Sequence, residues 1–270
     1  MPPVAVSGVK RPQSAMKEKR TFNDHFSGFA DKYAASRPTY PGALYEFIAE
    51  NAPSRGRVWD CATGNGQAAV GLSRIFEEVY ATDASKAQID NAIGGTNISY
   101  SVQFAEQTDF PDNFFDAVTI AQALHWFELD RFSLELARVL KPNGLVVAWT
   151  YGFFRVSPEI DAIFEKEVKK PIEHLWKKGN RIAKSGYSDI RLPFRQIDVP
   201  RFEMNCHWNL AELVDYFSTW SALNKFIEQD GAEIIQRSSE QLATVWGKPT
   251  DERIVRMDFH VLGWQSDSGI

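Results

Sequence analysis

Residues 57–83 read RVWDCATGNGQAAVGLSRIFEEVYATD, and the fold follows from this stretch. Arg57-Val58-Trp59-Asp60 is a short strand that enters a glycine-rich turn at Gly64-Asn65-Gly66, and Gln67 to Phe76 follows with helical spacing of its apolar residues. Glu78 to Thr82 is a second apolar strand, closed by Asp83. Strand, glycine turn, helix and strand make a βαβ unit, and such a crossover joins parallel strands.

The pattern continues in both directions. Upstream, Tyr40 to Ala52 places Leu44, Phe47 and Ile48 on one stripe, with Pro41 suited to a first helical turn, so a helix precedes the sheet. Downstream, Ser85 is positioned to cap a helix through Ala92, and Ser99 to Phe104 fits a third strand. After the turn Phe110-Pro111-Asp112-Asn113 comes Phe115 to Ala121, FDAVTIA, a run suited to burial on both faces of a parallel sheet. Arg131 to Val139 is predicted helical, Lys141-Pro142-Asn143-Gly144 a turn, and Leu145 to Thr150 a fifth strand. Strands and helices alternating over residues 57–150 predict a doubly wound, Rossmann-like α/β sheet.

Beyond residue 150 the pattern changes. Pro158 to Asn180 and Asn209 to Phe226 are predicted helical, Phe194 to His207 extended, and Arg253 to Gly263 alternates like a final strand. The expectation is a seven-stranded sheet, mostly parallel with an antiparallel last strand, and a helical cap. Three regions follow: a flexible tail over 1–20, a ligand-binding core with an N-terminal lid over 21–150, and cap helices with sheet-completing strands over 151–270.

Composition narrows the function. The 270 residues are 44% hydrophobic, enough for a full core, and the net charge of −5 offers no global basic field for a phosphate backbone. Nucleic acid is therefore not expected as a partner. Cys61 and Cys206 are the two cysteines, with no C-x-x-C spacing, so neither a disulfide scaffold nor a structural zinc is predicted, and no metal is assigned. Residues 1–20 carry Lys10, Arg11, Lys17, Lys19 and Arg20 without an apolar core, and the apolar runs elsewhere are too short for a bilayer. A cytoplasmic protein without a membrane partner is expected, as a monomer or homodimer, its basic tail a solvated terminus or a docking segment.

Gly64-Asn65-Gly66-Gln67-Ala68-Ala69 matches G-x-G-x-x-A, a pattern that two cofactor classes share. Asp60 separates them. A carboxylate at the end of the first strand would lie near a bound pyrophosphate, where like charges ~5 Å apart cost roughly 3 kcal/mol at an effective dielectric of 20. The same carboxylate attracts the ammonium and sulfonium of S-adenosylmethionine. Asp83 suits ribose hydroxyls in either cofactor and does not discriminate. An NAD(P)-dependent oxidoreductase stays the alternative, although no Tyr-x-x-x-Lys pair with a matching serine accompanies the loop.

VWDCATGNGQ at 58–67, ATDAS at 81–85, FAEQTDFPDNFFDAVTIAQALHWF at 104–127 and RVLKPNGLVVAW at 138–149 together resemble the class I S-adenosylmethionine-dependent methyltransferases. The likeness is to their small-molecule branch, which includes trans-aconitate methyltransferase-like proteins, and covers roughly half of the chain. It implies that Ala62, Gly64 and Gly66 let the backbone approach the methionine moiety, with Asp60 near its amino acid end. Asp83 and the adjacent Ala84 would hold the ribose, Ala105 and Glu106 would contact adenine, and Gln122 would border the methionine. Tyr33-x-x-x-Arg37-Pro38-x-Tyr40-Pro41 resembles the branch's lid, in which Tyr33 and Arg37 close over the cofactor. For Asp60 a helix-capping role, for Glu106 an exposed loop acid and for Arg37 a surface charge are the competing readings.

His125-Trp126-Phe127 resembles the family block that borders the methyl-transfer pocket. His125 is the candidate general base for a hydroxyl acceptor, or a histidine that shapes the pocket; a carboxylate acceptor would need no base. Trp126 is a candidate acceptor contact. Tyr216 and Trp220, in an aromatic-rich stretch of the predicted cap, are either acceptor contacts or core residues. The expected reaction is methyl transfer to a small molecule, at a carboxylate or hydroxyl oxygen; a silent binding protein of the same fold is the non-enzymatic alternative.

Overall fold

The computed structural model describes residues 38–230 and 233–267. One eight-stranded sheet organises the chain, made of β1 Arg57–Cys61, β2 Glu78–Asp83, β3 Ile98–Val102, β4 Phe115–Ala121, β5 Leu140–Arg155, β6 Arg195–Ile197, β7 Met204–Trp208 and β8 Arg253–Gln265. The order is β3-β2-β1-β4-β5-β8-β6, with β7 on the other half of β8. The first five strands are parallel, whereas β8 runs antiparallel to β5, β6 and β7.

The central strands bury both faces, and alternate residues divide between two layers. Val58, Ala117, Leu145, Val147 and Trp149 pack on one face beneath α1 Gly42–Asn51 and α2 Gln67–Leu72. Trp59, Val118, Ile120, Val146 and Ala148 pack on the other; over them, after a short helix α3 Lys86–Asp90 against β2 and β3, lies α4 Leu129–Val139, through Phe132 and Leu136. That period of two is what the apolar run FDAVTIA expresses, and all but its last residue are buried. Helix α3 begins as expected, with the Ser85 side chain accepting the amide of Gln88.

The second half departs from its sequence reading in three places. The segment from Pro158 is not one helix: α5 Pro158–Phe164 passes through a π turn at Glu165–Lys169 into the helical turn Lys170–Ile172, then breaks before α6 Lys178–Lys184. Pro171 has no amide hydrogen to give the carbonyl four residues back, which removes one α-type bond from the π turn. The stretch 209–226 likewise divides into α7 Leu210–Ser218 and α8 Ser221–Asp230. Ser218 and Thr219 hydroxyls donate to the carbonyls of Val214 and Tyr216, at 2.6 and 2.7 Å, and compete with helix continuation there. A further helix, α9 Glu233–Trp246, buries Ile234, Ser238, Leu242 and Trp246 along a single four-residue stripe. The sequence reading assigned no helix here, because Ser238 interrupts the apolar stripe.

Three late strands therefore join the sheet, because the extended segment 194–207 supplies both β6 and β7. The expected turn at 141–144 is present as a bulge inside a longer β5, where Leu140 pairs with Phe115 and Leu145 with Ala117. Helices α5, α7 and α9 form a third core over the distal half of β5 and β8, around Phe154, Phe164, Tyr216, Phe217 and Trp246.

Candidate active site

In the order β3-β2-β1-β4-β5 the chain reverses direction across the sheet between β1 and β4, and ligands of open α/β sheets bind beyond the carboxyl ends of the strands at such a switch point. The glycine turn leaves β1 there. Ala62, Gly64 and Gly66 all have positive φ, at 55°, 59° and 87°, so the turn is rich in left-handed residues. The space above Gly64 is open: a Cβ added there would meet only the Gln88 side-chain oxygen within 4 Å, so a ligand can reach its backbone. Gly66 is closed off, since a Cβ there would collide with the Tyr100 hydroxyl.

Asp83 fastens this turn. Its Oδ2 accepts the amide of Gly64 at 2.9 Å and its Oδ1 the amide of Ser85 at 2.8 Å, so one carboxylate spans the ends of β1 and β2. Ala84 is half-buried beside it.

Asp60 sits deeper than a surface ligand contact. It is fully buried, and the hydroxyls of Thr63 and Thr119 donate to it at 2.5 and 3.0 Å. Burial raises its carboxyl to about 6, the threonine hydroxyls and the Ala69 amide pull it down, and the charge of Asp83 adds to the rise. Neither threonine was picked out from the sequence; the signal available was Thr119, a polar residue inside an otherwise apolar strand. Ala105 is buried after β3, and Glu106 Oε1 accepts the Glu128 amide at the start of α4, 3.0 Å away.

The electrostatic sense of the region is read from Cys61, the residue after Asp60. Burial raises its thiol well above the ordinary range, and Asp60, Glu106, Asp83 and Glu135 all push it in the same direction. The carboxyl end of β1 is thus a field of negative charge. An open glycine backbone within that field fits a sulfonium and an ammonium and repels a pyrophosphate.

Gln122 follows β4 in a left-handed conformation, φ 56°, with its side chain turned to β5: it accepts from the Thr150 hydroxyl at 2.7 Å and donates to the Tyr151 carbonyl at 3.3 Å. The turn Leu124–Trp126 comes next. His125 Nδ1 lies 3.0 Å from the hydroxyl of Tyr187, a buried residue that no motif or spacing singled out. Burial lowers the His125 imidazole to about 4, so it is neutral at pH 7. Trp126 is exposed and its ring centroid stands 4.6 Å from that of His125. Tyr216 and Trp220 are buried in the aromatic core of the cap, their ring centroids 5.7 Å apart. Tyr33 and Arg37 lie outside the described residues. Among the described residues no group of three metal-binding side chains occurs, both cysteines are free and buried, and no helix is long and apolar enough to cross a membrane.

Strand order, switch point and left-handed glycine turn define the class: the fold is that of a class I S-adenosylmethionine-dependent methyltransferase. The comparisons with known proteins agree. A family profile described as a methyltransferase domain matches residues 59–148. A chain from Dictyostelium discoideum, named a methyltransferase, is 30% identical over 246 residues, covering 89% of this chain and 93% of that one. A structure described as a type II methyltransferase from Anaeromyxobacter dehalogenans superposes with a TM-score of 0.82 at 35% identity, covering 86% of this chain and 99% of that one. A methyltransferase of Aspergillus candidus is 25% identical over 217 residues, 68% of this chain and 66% of that one. The chain belongs to the methyltransferase family, and S-adenosylmethionine is its methyl donor.

Proposed function

We propose that the enzyme methylates a small molecule at an oxygen that is already ionised at neutral pH, a carboxylate in the first place. The observation that carries this reading is the state of His125. An imidazole held down to about 4 by burial is a weak base, poorly matched to removing a proton from a hydroxyl near pH 7. A carboxylate oxygen attacks without losing a proton, and displacement at a sulfonium asks the protein mainly for alignment and exclusion of water.

In this reading the open backbone at Gly64 receives the methionine moiety, Asp83 and Ala84 the ribose, and Ala105 with Glu106 the adenine edge. Asp60 contributes charge from beneath the turn rather than direct contact, since both its oxygens are engaged by threonines. His125, hydrogen-bonded to Tyr187, orients and shields the acceptor end of the site, with Trp126 as its outer wall. Tyr33 and Arg37 would close the cofactor from the N-terminal side.

The test is a pH–rate profile on a carboxylic acceptor found by screening with labelled S-adenosylmethionine. His125→Gln is expected to keep kcat within about tenfold of wild type, with a parallel profile between pH 6 and 9. A wild-type limb in that range that disappears in the variant, with a hydroxyl compound as the best acceptor, would overturn the proposal. Tight binding of S-adenosylhomocysteine without transfer to any acceptor would instead favour the silent binding protein.

A further inference from the structure

The cap contains a cavity of about 640 Å³ whose wall includes Phe153, Trp176, Lys169, Lys170, Arg181 and Lys184. Glu173 is the acid on this wall, and His174 and Ser185 also line it. Cations outnumber acids on this wall, although the chain as a whole carries −5. Lys169 is already paired with Glu165 at 2.7 Å. Lys184 is different: its Nζ is buried and makes no hydrogen bond among the described residues. Aromatic faces surround it instead, with ring centroids of Trp176 at 2.9 Å, Phe153 at 3.9 Å and Trp220 at 5.8 Å.

A buried ammonium without an anion is costly, and the protein feels that cost: burial, then the charge of Lys169, hold Lys184 down to about 6, with Glu173 acting in the opposite direction. The other charged groups nearby are Lys170 and Arg181 on the wall and, across β5, Asp258 next to Gly152. None of the described acids bonds to Lys184; held near 6 it is largely an uncharged amine at neutral pH, and an anion seated beside it would draw a proton onto Nζ. The rings beside it offer flat apolar surface for the body that would carry that charge.

Position relates the cavity to the methyl-transfer end. The backbone of α6 packs at Gly179 against His125 and Trp126, and at its far end Lys184 backbone atoms approach Gly152 of β5. Five residues of helix separate Gly179 from Lys184, about 7.5 Å at ~1.5 Å per residue. Along β5, Phe153 of the cavity wall stands two residues beyond Tyr151, whose carbonyl receives Gln122. Both elements run from the cavity toward the end of β4.

Resting on the methyl-transfer reading, we infer that this cavity is the remote anchor of the acceptor site, and that it holds an anionic oxygen-acid group carried on a planar apolar body, with Lys184 as the counter-charge.

The test measures binding to the full chain saturated with S-adenosylhomocysteine, with 3-phenylpropionate and phenyl phosphate as anionic probes, 3-phenylpropanol as their neutral counterpart and phenyltrimethylammonium as a cationic one. Quenching of tryptophan fluorescence, through Trp176 and Trp220, is the readout. Wild type is expected to bind at least one anion at least tenfold more tightly than the alcohol, the preferred probe telling carboxylate from phosphate. Lys184→Met is expected to lose that preference and Lys184→Arg to keep it within about threefold, since the charge is retained. Equal wild-type affinity for acid and alcohol, or no binding of either anion at about 10 mM, beyond the weak-affinity range, overturns the inference without any variant. Tighter binding of the ammonium probe to Lys184→Met than of either anion to wild type also overturns it, making the rings a cation cage that the lysine fills. Failure of S-adenosylhomocysteine itself to bind would strike the methyl-transfer reading instead, so the two failures are distinguishable.

Discussion

At the scale of single residues, the cofactor turn is built from groups that are strained or costly in isolation. Asp60 shows this most directly. Its carboxyl in the folded chain stands at about 6 against an ordinary 3.8, so the fold binds its proton more tightly than the unfolded chain does. Asp60 is therefore least costly to the fold below about pH 4, and the cost grows as pH rises through 6, reaching about 3 kcal/mol at neutrality. Asp60→Asn is expected to raise the Tm at pH 7.5 and to lose that advantage below pH 5 in thermal unfolding, while weakening S-adenosylmethionine binding at least tenfold in calorimetry. Gly66 makes a complementary case. Alanine there loses about 1–2 kcal/mol to its left-handed backbone and also meets the Tyr100 ring. Urea unfolding should show Gly66→Ala costing well above that figure in wild type, and only about 1–2 kcal/mol in a Tyr100→Ala background, where the ring is gone.

At the scale of elements, the end of α4 is pinned to the loop before β4 by one arginine. Arg138 donates to Glu135 at 2.6 Å, to Asp112 at 2.8 Å and to the Phe110 carbonyl at 2.6 Å, while Glu135 also accepts the amide and hydroxyl of Thr108. Although burial works the other way, these bonds hold the Glu135 carboxyl below its ordinary range. Its contribution is therefore present above the ordinary carboxylate range and fades as pH falls through the lowered value. Arg138→Met leaves a nearly buried carboxylate without its cation, a loss of roughly 2 kcal/mol once the partial exposure of the arginine is discounted. Chemical denaturation at pH 7 should show that loss, and it should narrow in acid. The spacing of Glu135 and Arg138 on one helix face can be read in the sequence, but their partners Thr108 and Asp112 lie across a loop and a strand.

At the scale of the whole molecule, two kinds of strand share one sheet. Strands β1, β4 and the middle of β5 are sealed between helical layers, whereas β6 is a three-residue segment that, among the described residues, pairs with the end of β8 alone. Hydrogen exchange is expected to leave the amides of Ala117 to Ala121 protected up to the global unfolding free energy, with Arg195 to Ile197 exchanging through local opening orders of magnitude sooner. Comparable exchange in the two segments would mean that β6 is integral to the cooperative core. The distal end of β5 is where the sheet passes beneath the cap.

The parallel core, the glycine turn and the two acids that close its strands were all legible in the linear chain, because each of them is local. A βαβ unit is written in adjacent apolar runs, and left-handed turn positions are written in glycine. Placing Asp60 beside the glycine turn likewise needed nothing more than strand position. Folding was required to show how deep that carboxyl lies and which threonines bind it, why His125 is neutral, and that Lys184 has rings around it where an anion would be expected. Burial and partnership are properties of surfaces brought together from distant stretches: Thr119 reaches Asp60 across 59 positions, and Tyr187 reaches His125 across 62. A proton's affinity follows from the dielectric and charges that such meetings create, and so the chemistry of the acceptor end became readable only once the chain was folded.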